Sequence, residues 1–289
     1  MTIDKSSKIL IVGLGLIGGS YAMALSKKGY SVAAISKEQK DIDYAIENGI
    51  ISRGSSEVNV EYVKESDIII FALYPHIFTE WMESYGRFIS SGTLITDVTG
   101  VKGAVIDKIN ALVPAGAEFI AAHPMAGKEV YGVQNADDSI FTDANLIIVP
   151  TRDNTPEAIE KCRALGEILD FKRISYLNPK QHDEMVAFLS QLTHCIAVSL
   201  MCANGDPNLV SYTGDSFRDL TRIANINEEM WSELFLLNKQ ALLYEMDCYR
   251  TCFDKLYKAI SDDDENTLKS MMRLSTARRK MFNKDGKKL

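Results

Sequence analysis

The sequence is short of most residues that staple, kink or anchor a chain. Its five cysteines, Cys162, Cys195, Cys202, Cys248 and Cys252, are odd in number and show no C-x-x-C spacing. Neither a disulfide framework nor a structural zinc site is expected, no metal is called for, and reduced thiols fit a cytoplasmic protein. Positive charge is in deficit: 32 Lys and Arg stand against 39 Asp and Glu, a net charge of −7. No global field exists to gather nucleic acid or an anionic membrane, so neither is expected as a partner. Long apolar runs are lacking too. Lys5 and Lys8, the run Ile9 to Gly19 and then Ala22-Met23-Ala24 look like a signal peptide, but Gly13, Gly15, Gly18 and Gly19 interrupt the run. No later apolar stretch reads as long enough to span a bilayer, and no internal repeat or low-complexity segment is visible. With 46% hydrophobic and 25% charged residues over 289 positions, the composition is globular and the length fits about two domains with a small-molecule function.

The first half alternates β-branched apolar runs with amphipathic stretches. Strands are expected over Lys8 to Val12, Ser31 to Ile35, Asp67 to Leu73, Thr93 to Val98, Glu118 to Ala122 and Asn145 to Val149. Helical patterns lie near Leu16 to Lys28, Glu38 to Asn48, His76 to Phe88 and Val101 to Leu112, and a last helix and strand follow near Thr155 to Asp170 and Phe171 to Tyr176. Such alternation implies an α/β, doubly wound parallel sheet with strands buried on both faces. Breakers then become rare: all seven prolines lie at or before residue 207, and only Gly205, Gly214 and Gly286 lie beyond Pro179. Stretches such as Asn227 to Ile260 carry apolar residues on more than one face, including Met230, Trp231, Leu234, Leu242, Leu243 and Met246. Buried helices are expected there. The domains read as 1–177, dinucleotide-binding, and 178–289, an all-α half whose many apolar faces favour a homodimer. The acidic run Asp262 to Glu265 is expected to start the final helix, and its basic end, Arg278-Arg279-Lys280, to be solvated.

Gly13-Leu14-Gly15-Leu16-Ile17-Gly18 follows the first strand directly and opens a helix, the context in which G-x-G-x-x-G marks a Rossmann-like dinucleotide site. The first glycine permits the tight turn, the second admits the pyrophosphate, and the third lets helix and strand pack closely; the helix N-terminus offers free N–H groups. A carboxylate is expected at the end of the second strand to bind the ribose hydroxyls of NAD. Here Ile35 is followed by Ser36 and Lys37, a hydroxyl and a cation that suit a 2′-phosphate, so NADP is preferred over NAD; Glu38 keeps NAD open if the strand runs on.

His123, in Ala121-Ala122-His123-Pro124-Met125-Ala126-Gly127, falls after the fifth of these strands, at the carboxyl edge where parallel sheets bind ligands. It could take a proton from a substrate hydroxyl as hydride leaves, although position alone also allows a histidine that merely caps loop carbonyls. His194, in Ser190-Gln191-Leu192-Thr193-His194, and the pair Arg218 and Arg222 beside Asp219 decide nothing by themselves, since arginines near an acid are commonly surface ion pairs.

Taken in order, G-L-G-L-I-G-G-S (Gly13 to Ser20), D-V-x-x-V-K (Asp97 to Lys102), H-P-M-A-G (His123 to Gly127), S-x-L-T-H (Ser190 to His194), F-R-D-L-T-R-I-A (Phe217 to Ala224) and M-W-x-x-L-F-x-x-N-K (Met230 to Lys239) resemble the prephenate and arogenate dehydrogenases of tyrosine biosynthesis over nearly the whole chain. The resemblance implies an NAD(P)-dependent oxidative decarboxylation, with prephenate giving 4-hydroxyphenylpyruvate or arogenate giving tyrosine. It implies that His123 meets the ring hydroxyl, that Arg222 binds a substrate carboxylate with Asp219 and Glu129 as charged neighbours, and that His194 lines the pocket. Trp231 matches a tryptophan near that pocket. Many relatives carry a serine where Gly100 stands here, which leaves Thr99 to supply a hydroxyl. Neither a fused chorismate mutase nor a C-terminal regulatory domain is expected from where the chain starts and stops. Two rivals remain at this stage: another hydroxy-acid dehydrogenase, and a non-catalytic dinucleotide sensor that would leave Arg222 and His194 without a task.

Overall fold

A computed structural model describes residues 3–282. In chain order the sheet region comprises β1 (Lys8–Val12), α1 (Leu16–Lys27), β2 (Ser31–Ile35), α2 (Gln39–Glu47), β3 (Arg53–Ser55), α3 (Val60–Glu65), β4 (Ile68–Phe71), α4 (Pro75–Tyr85), β5 (Leu94–Asp97), α5 (Gly103–Asn110), β6 (Glu118–Pro124), β7 (Asn145–Val149), α6 (Pro156–Ile168) and β8 (Arg173–Tyr176). The strands form one eight-stranded sheet in the order β3-β2-β1-β4-β5-β6-β7-β8. Side chains alternate across it. Ile9, Ile11, Val32, Ala34, Ile68 and Ile70 pack with α1, α2 and α6 on one face. Leu10, Val12, Ala33, Ile35, Ile69 and Phe71 pack with α3, α4 and α5 on the other. Burial on both faces explains why these strands read as unbroken apolar runs.

Two features depart from expectation. The short β3 and α3 lie in a stretch, 49 to 66, that carries no strong periodicity. The sheet is also not wholly parallel: β1 to β6 run parallel, whereas β7 is antiparallel to β6 and β8 runs with β7. A parallel return needs a crossover, usually a helix. Between β6 and β7 only two 3₁₀ turns form, Val133–Asn135 and Asp138–Phe141, so the chain comes back reversed.

Beyond β8 everything is helical: α7 (Pro179–Val186), a π turn (Ala187–Leu192), α8 (Thr193–Ala203), α9 (Asp215–Thr221), α10 (Glu228–Leu237), α11 (Lys239–Ser261) and α12 (Glu265–Lys280). The continuous helical run Pro179–Ala203 is long and apolar enough to cross a membrane by length and composition, which corrects the expectation that no such stretch exists. It carries buried His182 and Gln191, whose polar groups are used inside the protein.

The chain divides after Lys239 into two compact units. The expected boundary at 178 marks the change from sheet to helices, while α7 to α10 share the first unit with the sheet. The long helical pattern over 227–260 is broken at Asn238, whose amide donates to Asp183 O (2.9 Å) and Gln191 Oε1 (2.8 Å). In the second unit the helices expected to be buried are exposed in the single chain. Leu242 and Ala259 are the buried residues of α11, and α12 has none. Asp264 caps α12 through Thr267 N, so the acidic run does start the final helix.

Candidate active site

The carboxyl ends of β1, β4, β5 and β6 open into one cavity of about 1220 Å³ within the first unit. At the end of β1 the chain turns at Gly13, whose φ of +101° favours glycine and whose added Cβ would strike the Ala72 carbonyl. A Cβ on Gly18 would strike the Gly13 carbonyl, whereas Gly15 has open space before it. That is the division of labour expected of a pyrophosphate cradle. Helix α1 has no side-chain cap and no acid in its first turn, so its N–H groups and positive dipole end are available to an anion. Gly13, Gly15, Leu16, Ile17 and Gly18 all line the cavity, as do Ser36 and Lys37. Strand β2 ends at Ile35 as expected. Glu38 precedes α2 without lining the cavity; Asp41, in the first turn of α2, does line it. Asp41 escaped the sequence reading because it sits one helical turn past the position where a ribose carboxylate is sought.

His123 is the penultimate residue of β6 and half-buried on the cavity wall. Its Nδ1 lies 2.9 Å from His182 Nε2, and His182 Nδ1 lies 2.8 Å from Asp183 Oδ1. Burial, then the neighbouring His182, then the Lys102 cation hold the His123 imidazole well below its usual value. Burial also lowers His182, against the opposing pull of Asp183. Burial works against ionisation of Asp183, but bonds from His182 and from the backbone N–H groups of Gly103 and Lys102 outweigh it and keep the carboxyl below its usual range. The residues around His123 are therefore a neutral imidazole and an ionised carboxylate near pH 7.

The strand end that carries His123 is fixed from below by a fully buried ion pair. Lys102 Nζ donates to Asp97 Oδ2 (2.7 Å), Ala122 O (2.7 Å) and Thr99 Oγ1 (3.2 Å), which uses all three ammonium hydrogens. Asp97 Oδ1 accepts from Ala122 N (3.1 Å). Burial lowers the Lys102 ammonium, with Asp97 opposing. This network also takes up the hydroxyl of Thr99. The residue borders the cavity, yet its hydroxyl donates to Asp97 Oδ2 and contacts Val101 O, so it is turned inward and engaged. Nor does Gly100 leave room to spare, because an added Cβ would press on Leu234 at 3.3 Å.

On the helical side, His194 Nδ1 donates to Ser190 O (2.8 Å), one turn back along the helix. Its ring stacks on Trp231 with centroids 3.7 Å apart, which gives Trp231 a place: it holds the imidazole plane. Both line the cavity with His123, as do Ser190 and Gln191. Burial lowers the His194 imidazole, and the bond to Ser190 opposes that shift. Arg222 is 62% exposed and pairs with Glu129, and it is Glu129 that borders the cavity. The guanidinium thus stands at the rim, held by the acid expected beside it. Asp219 is exposed on α9 and does not border the cavity, so the single chain does not bring it to the site. Of the four histidines in the sequence, three gather here. His182 and Asp183 went unnoticed because nothing local says that α7 packs against the start of α5.

Comparison with known proteins agrees with this arrangement. Residues 21–172 match the family description "prephenate dehydrogenase, nucleotide-binding domain", and residues 178–274 match "prephenate dehydrogenase, dimerization domain". The chain is 30% identical over 270 residues to the prephenate dehydrogenase of Bacillus subtilis (strain 168), covering 90% of this chain and 72% of that protein. It is 28% identical over 283 residues to the cyclohexadienyl dehydrogenase of Zymomonas mobilis, covering 93% and 92%. The crystal structure of Synechocystis arogenate dehydrogenase superposes with a TM-score of 0.81 at 26% identity, covering 96% of this chain and 100% of that one. By two successive domain matches and by identity along most of its length, this chain belongs to the prephenate dehydrogenase family.

Proposed function

We propose that this protein is an NAD(P)-dependent dehydrogenase that oxidatively decarboxylates prephenate to 4-hydroxyphenylpyruvate. The observation that carries the reading is the shared cavity: the glycine cradle, His123 and His194 line one space, with the Glu129–Arg222 pair at its edge. A bound dinucleotide supplies the hydride acceptor. His123 takes the proton of the ring hydroxyl as the carbonyl forms, a role its neutral imidazole suits. The ring carboxylate then leaves as carbon dioxide, its bond electrons aromatise the ring, and the phenolate oxygen takes the proton back from His123. Arg222, freed from Glu129, offers a planar fork to a substrate carboxylate.

Ser36 and Lys37 beside the cradle favour NADP, since only its 2′-phosphate uses a cation there. Asp41 on the same wall is the acid that would serve NAD. One observation favours arogenate as a second substrate. With Nδ1–H committed to Ser190 O, neutral His194 presents only an acceptor, which a side-chain ammonium satisfies and a keto group does not. We further infer a cytoplasmic homodimer, in keeping with five unpaired thiols and the exposed apolar surface of α11 and α12. Steady-state rates with prephenate and arogenate, each with NAD and NADP, test the reading. Turnover of prephenate is expected, and failure with both substrates overturns it.

A further inference from the structure

His182 and Asp183 stand behind the reaction site with no task in the scheme above. Asn178 and Gln181 close a capping box at the start of α7, with bonds of 2.9 and 3.2 Å, and Pro179 sets the first turn. The next residue, His182, enters the protein with 0% exposure. Asp183 reaches across to α5, where Lys102, the N-cap residue, makes no side-chain capping bond. Its Oδ1 accepts Lys102 N at 2.9 Å and its Oδ2 accepts Gly103 N at 2.8 Å. A carboxylate held by two amide donors is an acceptor only, so the hydrogen between Asp183 Oδ1 and His182 Nδ1 belongs to the imidazole. A neutral imidazole protonated at Nδ1 has its lone pair at Nε2, 2.9 Å from His123 Nδ1. His123 must then donate from Nδ1, and its own lone pair falls on Nε2.

We propose that His182 and Asp183 are positioning residues that lock His123 in the Nδ1–H tautomer, so that Nε2 stands ready to accept the substrate hydroxyl proton. The inference rests on the dehydrogenase reading for its kinetic consequence but not for the tautomer itself. The chain of bonds steers orientation without draining the proton: the one that His123 takes up returns to the phenolate, and neither His182 nor Asp183 changes charge over a turnover. Anchoring on the backbone N–H groups of Lys102 and Gly103 ties the ring plane of His123 to the start of α5.

Two kinds of measurement test this. Nitrogen-15 NMR of the histidine rings in the protein without substrate should show His123 protonated at Nδ1 and bare at Nε2. In Asp183→Ala the acceptor that keeps the hydrogen on His182 Nδ1 is removed, so His123 should no longer be held in the Nδ1–H form; kcat should fall about 10²-fold with dinucleotide KM within about twofold. Because Asp183 also caps α5, that variant could lose its fold, and the His182 pair keeps the test decisive. His182→Gln retains one acceptor and one donor and should hold kcat within about tenfold, whereas His182→Leu should drop it about 10²-fold. Finding His123 as Nε2–H in the wild type, equal loss in Gln and Leu, or full activity in Leu overturns the proposal. A wild type that turns over neither substrate would sink the dehydrogenase reading instead and leave the NMR result standing.

Discussion

At the residue scale the chemistry turns on which nitrogen or oxygen of a side chain remains for substrate. His123 carries a ring whose charged form is disfavoured by burial, His182 and Lys102. As the base it must be neutral, so kcat/KM should climb with pH along a limb lying below 6.5 and flatten above it. A profile still rising between pH 7 and 8 would show that another group governs the rate. The same shift makes a stability statement: as pH falls below about 6.5 the unfolded chain takes up a proton that the folded His123 refuses, so this residue's contribution declines toward acid. Replacing His123 by Asn should lower kcat by about 10²-fold or more while dinucleotide affinity stays put; full activity would remove it from the mechanism. Lys37→Ala should weaken NADP more than NAD, read as the ratio of the two KM values. An unaltered ratio would mean that the cation never meets the 2′-phosphate.

At the element scale the site depends on how strand ends are stapled. Asp97 ends β5, Ala122 sits just before His123 in β6, and Lys102 closes the loop between β5 and α5 with a buried ammonium. Removing one partner strands the other charge in the protein. Lys102→Met is therefore expected to cost about 3–5 kcal/mol in denaturant unfolding, with activity lost alongside; a change below about 1 kcal/mol would show that Asp97 finds another partner or protonates harmlessly. The motif D-V-x-x-V-K was visible in the sequence, but its meaning was not. The resemblance leaves Thr99 to supply the hydroxyl that many relatives carry at the next position, and only the approach of Lys102 and Asp97 shows that hydroxyl to be engaged. The reversal of β7 was equally hidden, because a strand buried on both faces has the same apolar pattern in either direction. The glycine turn, by contrast, was readable from its spacing directly after β1, although the close approach that Gly13 permits is to the Ala72 carbonyl beyond β4.

At the scale of the whole molecule, α11 carries Phe253, Tyr257 and Ile260 at 55, 70 and 61% exposure. Their spacing of four and three residues puts them on one helical face. A soluble surface rarely leaves such a stripe uncovered, and a second copy of the chain is the covering we infer. Sedimentation should give a mass near twice 32.2 kDa, with a melting temperature that rises with concentration. Tyr257→Asp combined with Ile260→Asp should yield monomer, and a double variant that stays dimeric would place the interface elsewhere. The apolar patterning of this half was legible and already favoured a homodimer; which residues of α11 stay exposed in the single chain was not, because hydrophobic periodicity records that a face is to be covered and not by what.

The amino-acid order by itself determined the elements with short-range causes: the dinucleotide turn, the alternation of strands and helices, the acid-capped last helix and the change to an all-helical half. Each follows from dihedral preference, capping or burial within a few turns of chain. The tertiary structure decided which hydroxyl is engaged, which acid lines the nucleotide wall and which imidazole nitrogen faces the cavity. Those are contacts between residues such as Lys102 and Asp183, some 81 positions apart, and a hydrogen bond of about 3 Å is specified only when the packing of whole helices has fixed both of its ends.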